Sequence, residues 1–322
     1  MFFNKCMDIK FFEINNGDLR ITFSNLGASI FSIYYLDDLM TLTPSNKKDY
    51  ERTFIYNGKT IGRVANRIKG NLIRVDGEAF RLKNNEKKNT LHGGFEGLST
   101  RLFDYEIRKE QNRDIVEFKY ISRHGESGFP GTLSLVVKYT IENNEIRIDY
   151  FGKVEGKSTP LNLTNHLYFT LGDKNIDRLK LKIPSDDYIE TDNELLPKRR
   201  YNLRMCLNFN RFRYISYFID DEILQNSAAK GYDHFIFFRN NKLNDKVNLL
   251  SSKYRLDIDT DYEGVQIYSD NYEDGIKYMG TNDPIHRGIA IEPSLSLLNE
   301  NILKIGEEYH HFITYKFSKN KE

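Results

Sequence analysis

Four short segments carry residue types from which proton-transfer chemistry is built. Asn89-Thr90-Leu91-His92-Gly93-Gly94 sets an imidazole beside two glycines, which let backbone approach a ligand closely or simply make a turn. Asn162-Leu163-Thr164-Asn165-His166-Leu167-Tyr168-Phe169 sets a second imidazole beside polar residues in apolar surroundings. Gly288-Ile289-Ala290-Ile291-Glu292-Pro293 places a carboxylate at the end of an apolar strand, where burial would raise its pKa toward that of a general base. Gly62-Arg63-Val64-Ala65-Asn66-Arg67 offers guanidinium groups able to donate paired hydrogen bonds to oxygen. Each segment also has a plain structural reading. A lone histidine fits a hydrogen-bonded core, the glutamate fits a strand end facing water, and the arginine cluster fits a surface loop.

Other chemistries lack their signatures. No H-E-x-x-H, Walker loop, G-x-G-x-x-G or G-x-S-x-G occurs. The acidic ladder Asp257, Asp259, Asp261, Glu263 looks superficially like a calcium loop, but Tyr262 stands where that loop turns on Gly, so these acids are expected on the wet face of a strand. With 47 basic and 46 acidic residues the formal net charge is +1, so no global field recruits nucleic acid or an anionic membrane, and a small neutral partner is expected. Lys87-Lys88 and Lys198-Arg199-Arg200 read as solvated surface. The two cysteines, Cys6 and Cys206, lack C-x-x-C spacing, and no apolar run reaches signal-peptide or membrane-span length. A cytoplasmic location is the expectation, and the sequon Asn162-Leu163-Thr164 is discounted accordingly.

The elements that must position these residues are strands. Leu133, Leu135, Val137, Tyr139 and Ile141 alternate with mostly polar neighbours, Asn143-Asn144 supplies a turn, and Ile146, Ile148 and Tyr150 alternate on the way back. Asp76-Gly77 predicts a second hairpin between Leu72–Val75 and Ala79–Leu82. Similar alternation marks Leu19-Ile21-Phe23, Val116-Phe118-Tyr120 and Tyr254-Leu256-Ile258, whereas only Tyr214 to Ala229 reads as weakly helical. No linker or repeat divides the chain, so residues 1–322 are expected to form one all-β domain, a large antiparallel two-sheet β-sandwich with few short helices.

Taken in order, these segments resemble the aldose 1-epimerase, or galactose mutarotase, family. The resemblance runs from Gly62-Arg63-Val64-Ala65-Asn66-Arg67-Ile68 through Asn89 to Gly94, Gly128-Phe129-Pro130-Gly131, Asn162 to Phe169, and Gly231-Tyr232-Asp233-His234. It continues through Gly264-Val265-Gln266-Ile267-Tyr268 and Ile291-Glu292-Pro293 to the Gly306-Glu307-x-Tyr309 strand. The resemblance implies a sugar bound in an open cleft on one sheet, with Glu292 as catalytic base, His166 as acid, and Asn66, Arg67, His92, Asp233 and Gln266 contacting the sugar. It implies interconversion of the α and β anomers of a free hexose such as galactose or glucose, with no cofactor and no metal. The partner is then a monosaccharide, not nucleic acid or membrane, and the protein a monomer or homodimer.

The chain departs from the family pattern in three places. Ser294 to Asn299 replaces a Gln followed by Pro-Asp, Leu102-Phe103 stands where a Trp is usual, and Leu167 follows His166 where a small Ser is frequent. Three competing readings remain: a glycoside hydrolase using Asp233 and Glu292 as paired carboxylates, a sugar-binding module or regulator without catalysis, and a phosphosugar epimerase, which would need an Arg/Lys cluster such as Lys198 to Arg200 at the cleft mouth.

Overall fold

Alternation of apolar and polar side chains is realised in strand after strand of the computed structural model, which describes residues 8–52, 54–239 and 247–321. Cys6 lies outside the described residues, and Cys206 is a buried thiol. The strands Thr132–Glu142 and Glu145–Glu155 pair in full register from Thr132↔Glu155 to Glu142↔Glu145. Asn143 and Asn144 both take positive φ between them, as the two-residue turn of a right-twisted hairpin requires. Asp76 and Gly77 do the same between Leu72–Val75 and Glu78–Arg81.

The first of these hairpins lies within a nine-stranded antiparallel sheet. A six-stranded sheet packs across it, in the spatial order Tyr168–Phe169, Ile289–Ser294, Gly264–Tyr268, Asp233–Phe237, Asp187–Thr191 and Pro197–Asn202. Leu133, Leu135, Val137 and Tyr139 of the large sheet share one buried cluster with Ile236, Val265, Ile267, Ile289 and Ile291 of the smaller one, so the core lies between the two. A four-stranded meander over Phe11–Leu39 and several two-stranded ribbons add to the expected pair of sheets.

Helix is scarce and short. The stretch Tyr214 to Ala229 breaks into a 3-10 turn, Ile215–Phe218, and a four-residue helix, Glu222–Gln225, because the Asp221 side chain accepts from Ile223 N and restarts the winding. Among the described residues no helix is long and apolar enough to cross a membrane. Asp257 and Asp259 do occupy the wetter face of their strand. Asp261 and Glu263 instead accept from the backbone N–H groups of Phe312 and Ser296. Lys198, Arg199 and Arg200 lie on the exposed edge strand Pro197–Asn202, where Glu190 and Asp187 pair with them.

Arg63 corrects the surface-loop reading of its cluster. Its guanidinium is interior, donating to Ser122 Oγ (3.1 Å), Ser122 O (2.8 Å), Pro130 O (2.6 Å) and Thr159 Oγ1 (2.9 Å), and so ties three separate chain segments together. Replacing it leaves those acceptors buried without donors. Arg63→Met should lower the unfolding free energy by about 3 kcal/mol, read from the urea midpoint. The cleft described below does not include Arg63, so ligand affinity of the folded fraction should be unchanged.

Candidate active site

The strands Asp233–Phe237, Gly264–Tyr268 and Ile289–Ser294 of the six-stranded sheet are buried on both faces, and period two sorts their side chains. In the strand Ile289–Ser294, Ile289 and Ile291 enter the core while Ala290 and Glu292 face the other way. Cross-strand register repeats that choice, because directly paired residues share a face. Glu292 pairs with Gln266 and Gln266 with Phe235 in one row, while Tyr168, Ala290, Tyr268 and Asp233 form the next. Glu292, Gln266 and Asp233 are thereby brought to one polar floor.

Loops bring the imidazoles to it. His166 is held through its main chain, accepting from Gly58 N at 2.9 Å and donating to Lys59 O at 3.1 Å, while Asn165 Nδ2 donates to Gly58 O. Gly58 has φ +66°, and a Cβ there would collide with the Ile30 carbonyl, so no larger residue fits under His166. His92 and Asn66, both at positive φ, grip each other: His92 N donates to Asn66 O (3.1 Å) and Asn66 N donates to His92 Nδ1 (3.2 Å). With Nδ1 accepting, neutral His92 carries its proton on Nε2 and is a donor.

These groups and Arg67 line one cleft of about 270 Å³, walled by Tyr56, Tyr168, Tyr268, Tyr272 and Tyr278. Gln266, on the floor behind, donates Nε2–H to Asp233 Oδ1, and Arg67 reaches the other oxygen, Oδ2, at 3.2 Å. Both oxygens of Asp233 are therefore occupied. Arg67 also donates from Nε to Glu86 Oε2 at 2.8 Å. The ring of Tyr56 lies 5.7 Å from that of His166 and 4.8 Å from that of His92.

At the centre His166 Nε2 and Glu292 Oε1 are 3.5 Å apart. Glu292 Oε2 and His166 Nδ1 are buried with no hydrogen-bond partner among the described residues. Burial raises the Glu292 carboxyl well above its usual range, with nearby Asp233 adding and Arg67 opposing. Burial also lowers His166 to about 4 and His92 well below the ordinary imidazole value, the latter helped by His166 and Arg67. Burial thus disfavours charge on both members of the pair. His92, His166 and Glu292 offer atoms within 4.8 Å of one another, a spacing that a metal ion could use. A metal would need a bare Nε2 on His92, and the hydrogen bond from Asn66 N opposes that tautomer.

The sequence-predicted residues Glu292, His166, Asn66, Arg67, His92, Asp233 and Gln266 are all assembled here. Glu86 and the tyrosine wall were not foreseen. Glu86 sits in an Asn/Lys-rich turn whose composition reads only as loop, and tyrosine is too common in this chain, at 21 residues, for any one to stand out.

A family profile described as aldose 1-epimerase matches residues 10–316. The chain belongs to the aldose 1-epimerase family. Aldose 1-epimerase of Haemophilus influenzae is 31% identical, with 94% of each chain covered. Human galactose mutarotase is 29% identical over 95% of this chain and 93% of its own. The crystal structure of galactose 1-epimerase from Lactobacillus acidophilus superposes with a TM-score of 0.85 over 97% of this chain and 99% of that one, at 22% identity, which establishes the shared fold. This member is accordingly an isomerase.

Two of its departures from the epimerase pattern fall away from the cleft. Phe103 and Leu167 are core residues, and Leu102, though not itself in the cleft lining, packs against the buried cluster that includes Tyr168 and Tyr278 of the cleft wall. The third lies at the rim. Asn162 brackets Leu295, donating to its carbonyl (2.8 Å) and accepting from its N–H (2.9 Å), which sets Leu297 in a recess beside Arg67, Asp233 and Gln266. The epimerase rim is therefore aliphatic on that side.

The raised Glu292 pKa has a stability consequence. Above pH about 4.5 the unfolded chain ionises this group while the folded chain resists, so folding loses free energy as pH rises. Glu292→Gln removes that loss. Its melting temperature should exceed the wild type's by a margin that grows from pH 5 to pH 8, and a pH-independent margin would contradict the burial argument.

Proposed function

We propose that this family member interconverts the α and β anomers of a free neutral hexose, galactose or glucose, by acid–base ring opening and reclosure. Glu292 takes the proton of the anomeric hydroxyl while His166 delivers one to the ring oxygen. The C1–O5 bond then breaks to give the open aldehyde. Rotation about C1–C2 presents the other face of the carbonyl, and closure with the roles reversed returns the opposite anomer.

The observation that carries this reading is the buried 3.5 Å pair whose two outer atoms, Glu292 Oε2 and His166 Nδ1, have no partner. Burial by itself favours the uncharged arrangement. A sugar brings hydroxyl groups against both side chains and favours the carboxylate–imidazolium arrangement instead, with the same total of protons. His92, a donor through Nε2–H, and Arg67 stabilise charge on the oxygen side, while Asn66, Asp233 and Gln266 fix hydroxyls farther round the ring. The tyrosine wall covers the apolar face of the pyranose. No cofactor takes part in these steps. Asp233, with both oxygens engaged, is poorly suited to the proton shuttle of a glycoside hydrolase.

The same reading has residues 1–322 acting as one cytoplasmic unit, monomer or homodimer, with no nucleic-acid or membrane partner. Polarimetry of freshly dissolved α-galactose and α-glucose tests it. The wild type should accelerate mutarotation, and Glu292→Gln and His166→Gln should each lower kcat by about 10²- to 10⁴-fold while folding normally. Sugar binding by calorimetry without any acceleration would replace this reading with that of a binding module.

A further inference from the structure

Around the cleft each arginine faces two carboxylates. Arg67 lies between Glu86 and Asp233, and the buried Arg287, behind the lining, lies between Asp270 and Asp274. All four carboxylates line the cleft, and Arg67 is the only Lys or Arg among its described lining residues. Apart from Glu292, four acids thus answer two guanidinium groups, and the cleft presents more negative than positive charge to whatever enters it.

The four acids are not equivalent. Asp233 receives hydrogen bonds on both oxygens, and Asp270 accepts two bonds from Arg287 besides one from the Arg287 N–H. Asp274 accepts from Arg287, Tyr278 and Ile276 N. Glu86 makes a single side-chain contact, to Arg67 Nε, and is the most exposed of the four, with 32% of its side chain accessible. Its backbone is fixed independently by a tight turn in which Glu86 and Asn89 exchange N–H···O bonds. Among the described residues no other hydrogen bond or ion pair engages its carboxylate. Its effect is on Arg67, whose Nη2 neither acid engages.

We propose that Glu86 sets the charge class of the sugar: it cancels the outward half of the Arg67 charge, so that the guanidinium serves neutral hydroxyls as a hydrogen-bond donor and gives an anionic sugar, a uronate or a sugar phosphate, no net attraction. This rests on the epimerase reading for the identity of the ligand as an aldose. It explains why a cationic side chain at the centre of a sugar cleft need not select anions, since discrimination here is built by an opposing charge rather than by an added contact. Asp233 alone would leave Arg67 paired one to one, with the cleft's acid excess reduced.

Glu86→Gln tests the charge without the shape, because the amide oxygen can still accept from Arg67 Nε. Binding of galacturonate, glucose 6-phosphate and galactose would be measured by calorimetry at low and high salt, with kcat/KM measured by polarimetry. In the wild type the anions should bind more weakly than galactose, with a gap that narrows as salt rises. In Glu86→Gln the ratio of anion to galactose affinity should rise about five- to tenfold at low salt. Equal wild-type affinity for galactose and both anions would overturn the proposal, as would a Glu86→Gln ratio within about twofold of the wild type's. A ratio that moves only in Glu86→Ala would also overturn it, since Glu86 would then act by holding Arg67 in place rather than by charge. Because binding is read independently of turnover, absent mutarotation would count against the epimerase reading and leave the charge test intact.

Discussion

A carboxylate and an imidazole buried side by side without hydrogen bonds to their outer atoms are costly to keep, and the rest of the cleft is arranged around that cost. Neither group can be ionised alone in such surroundings without several kcal/mol of desolvation penalty. Burial disfavours the charged form of each, so neither is held as a lone ion. What surrounds them is fixed by other means. Tyr56 stacks against His166, main-chain bonds from Gly58 and to Lys59 hold the His166 backbone, and the sheet register fixes Glu292. Rigidity is supplied from the backbone so that the two reactive side chains need supply none.

The cleft also shows how a charged network can be both firm and weakly committed. Asp233 and Arg67 are tied to Gln266 and Glu86, so a sugar meets donors and acceptors already oriented and already partly neutralised. Little reorganisation is left for the moment of binding. The aliphatic rim around Leu297 continues this logic on the other side of Arg67, where the chain offers shape rather than polar contacts.

Much of this was legible in the sequence, and the reasons are specific. Alternation of side chains gave the two hairpins at Asn143-Asn144 and Asp76-Gly77, because period two and paired positive-φ residues leave few other interpretations. The individual site residues were different. His166, Glu292 and Asn66 were each compatible with a structural role, and only their order along the chain linked them. Arg63 and Arg67 show the limit. Four residues apart in one cluster, they look alike, yet one is a core tie and the other a cleft donor, a distinction set by which neighbouring segments close over each. Glu86 and the tyrosine wall carried no local signal at all. Their positions follow from tertiary closure, as does the fracture of the expected helix at Asp221.

The row formed by Tyr168, Ala290, Tyr268 and Asp233, with Glu292 and Gln266 in the row beside it, has a consequence for how this protein comes into being. Every one of these positions depends on pairings between segments far apart in the chain, and His166 and His92 reach the floor only through loops held by still other segments. No fragment or early hairpin contains the site in miniature. Such non-local pairing is slow to form, and the reactive pair is complete only when the strand that carries Glu292 and the loop that carries His166 have both found their partners. Sugar recognition is therefore coupled to completion of the fold: a chain that has collapsed without finding its register has a core of sorts but no cleft, and ligand binding selects the finished molecule.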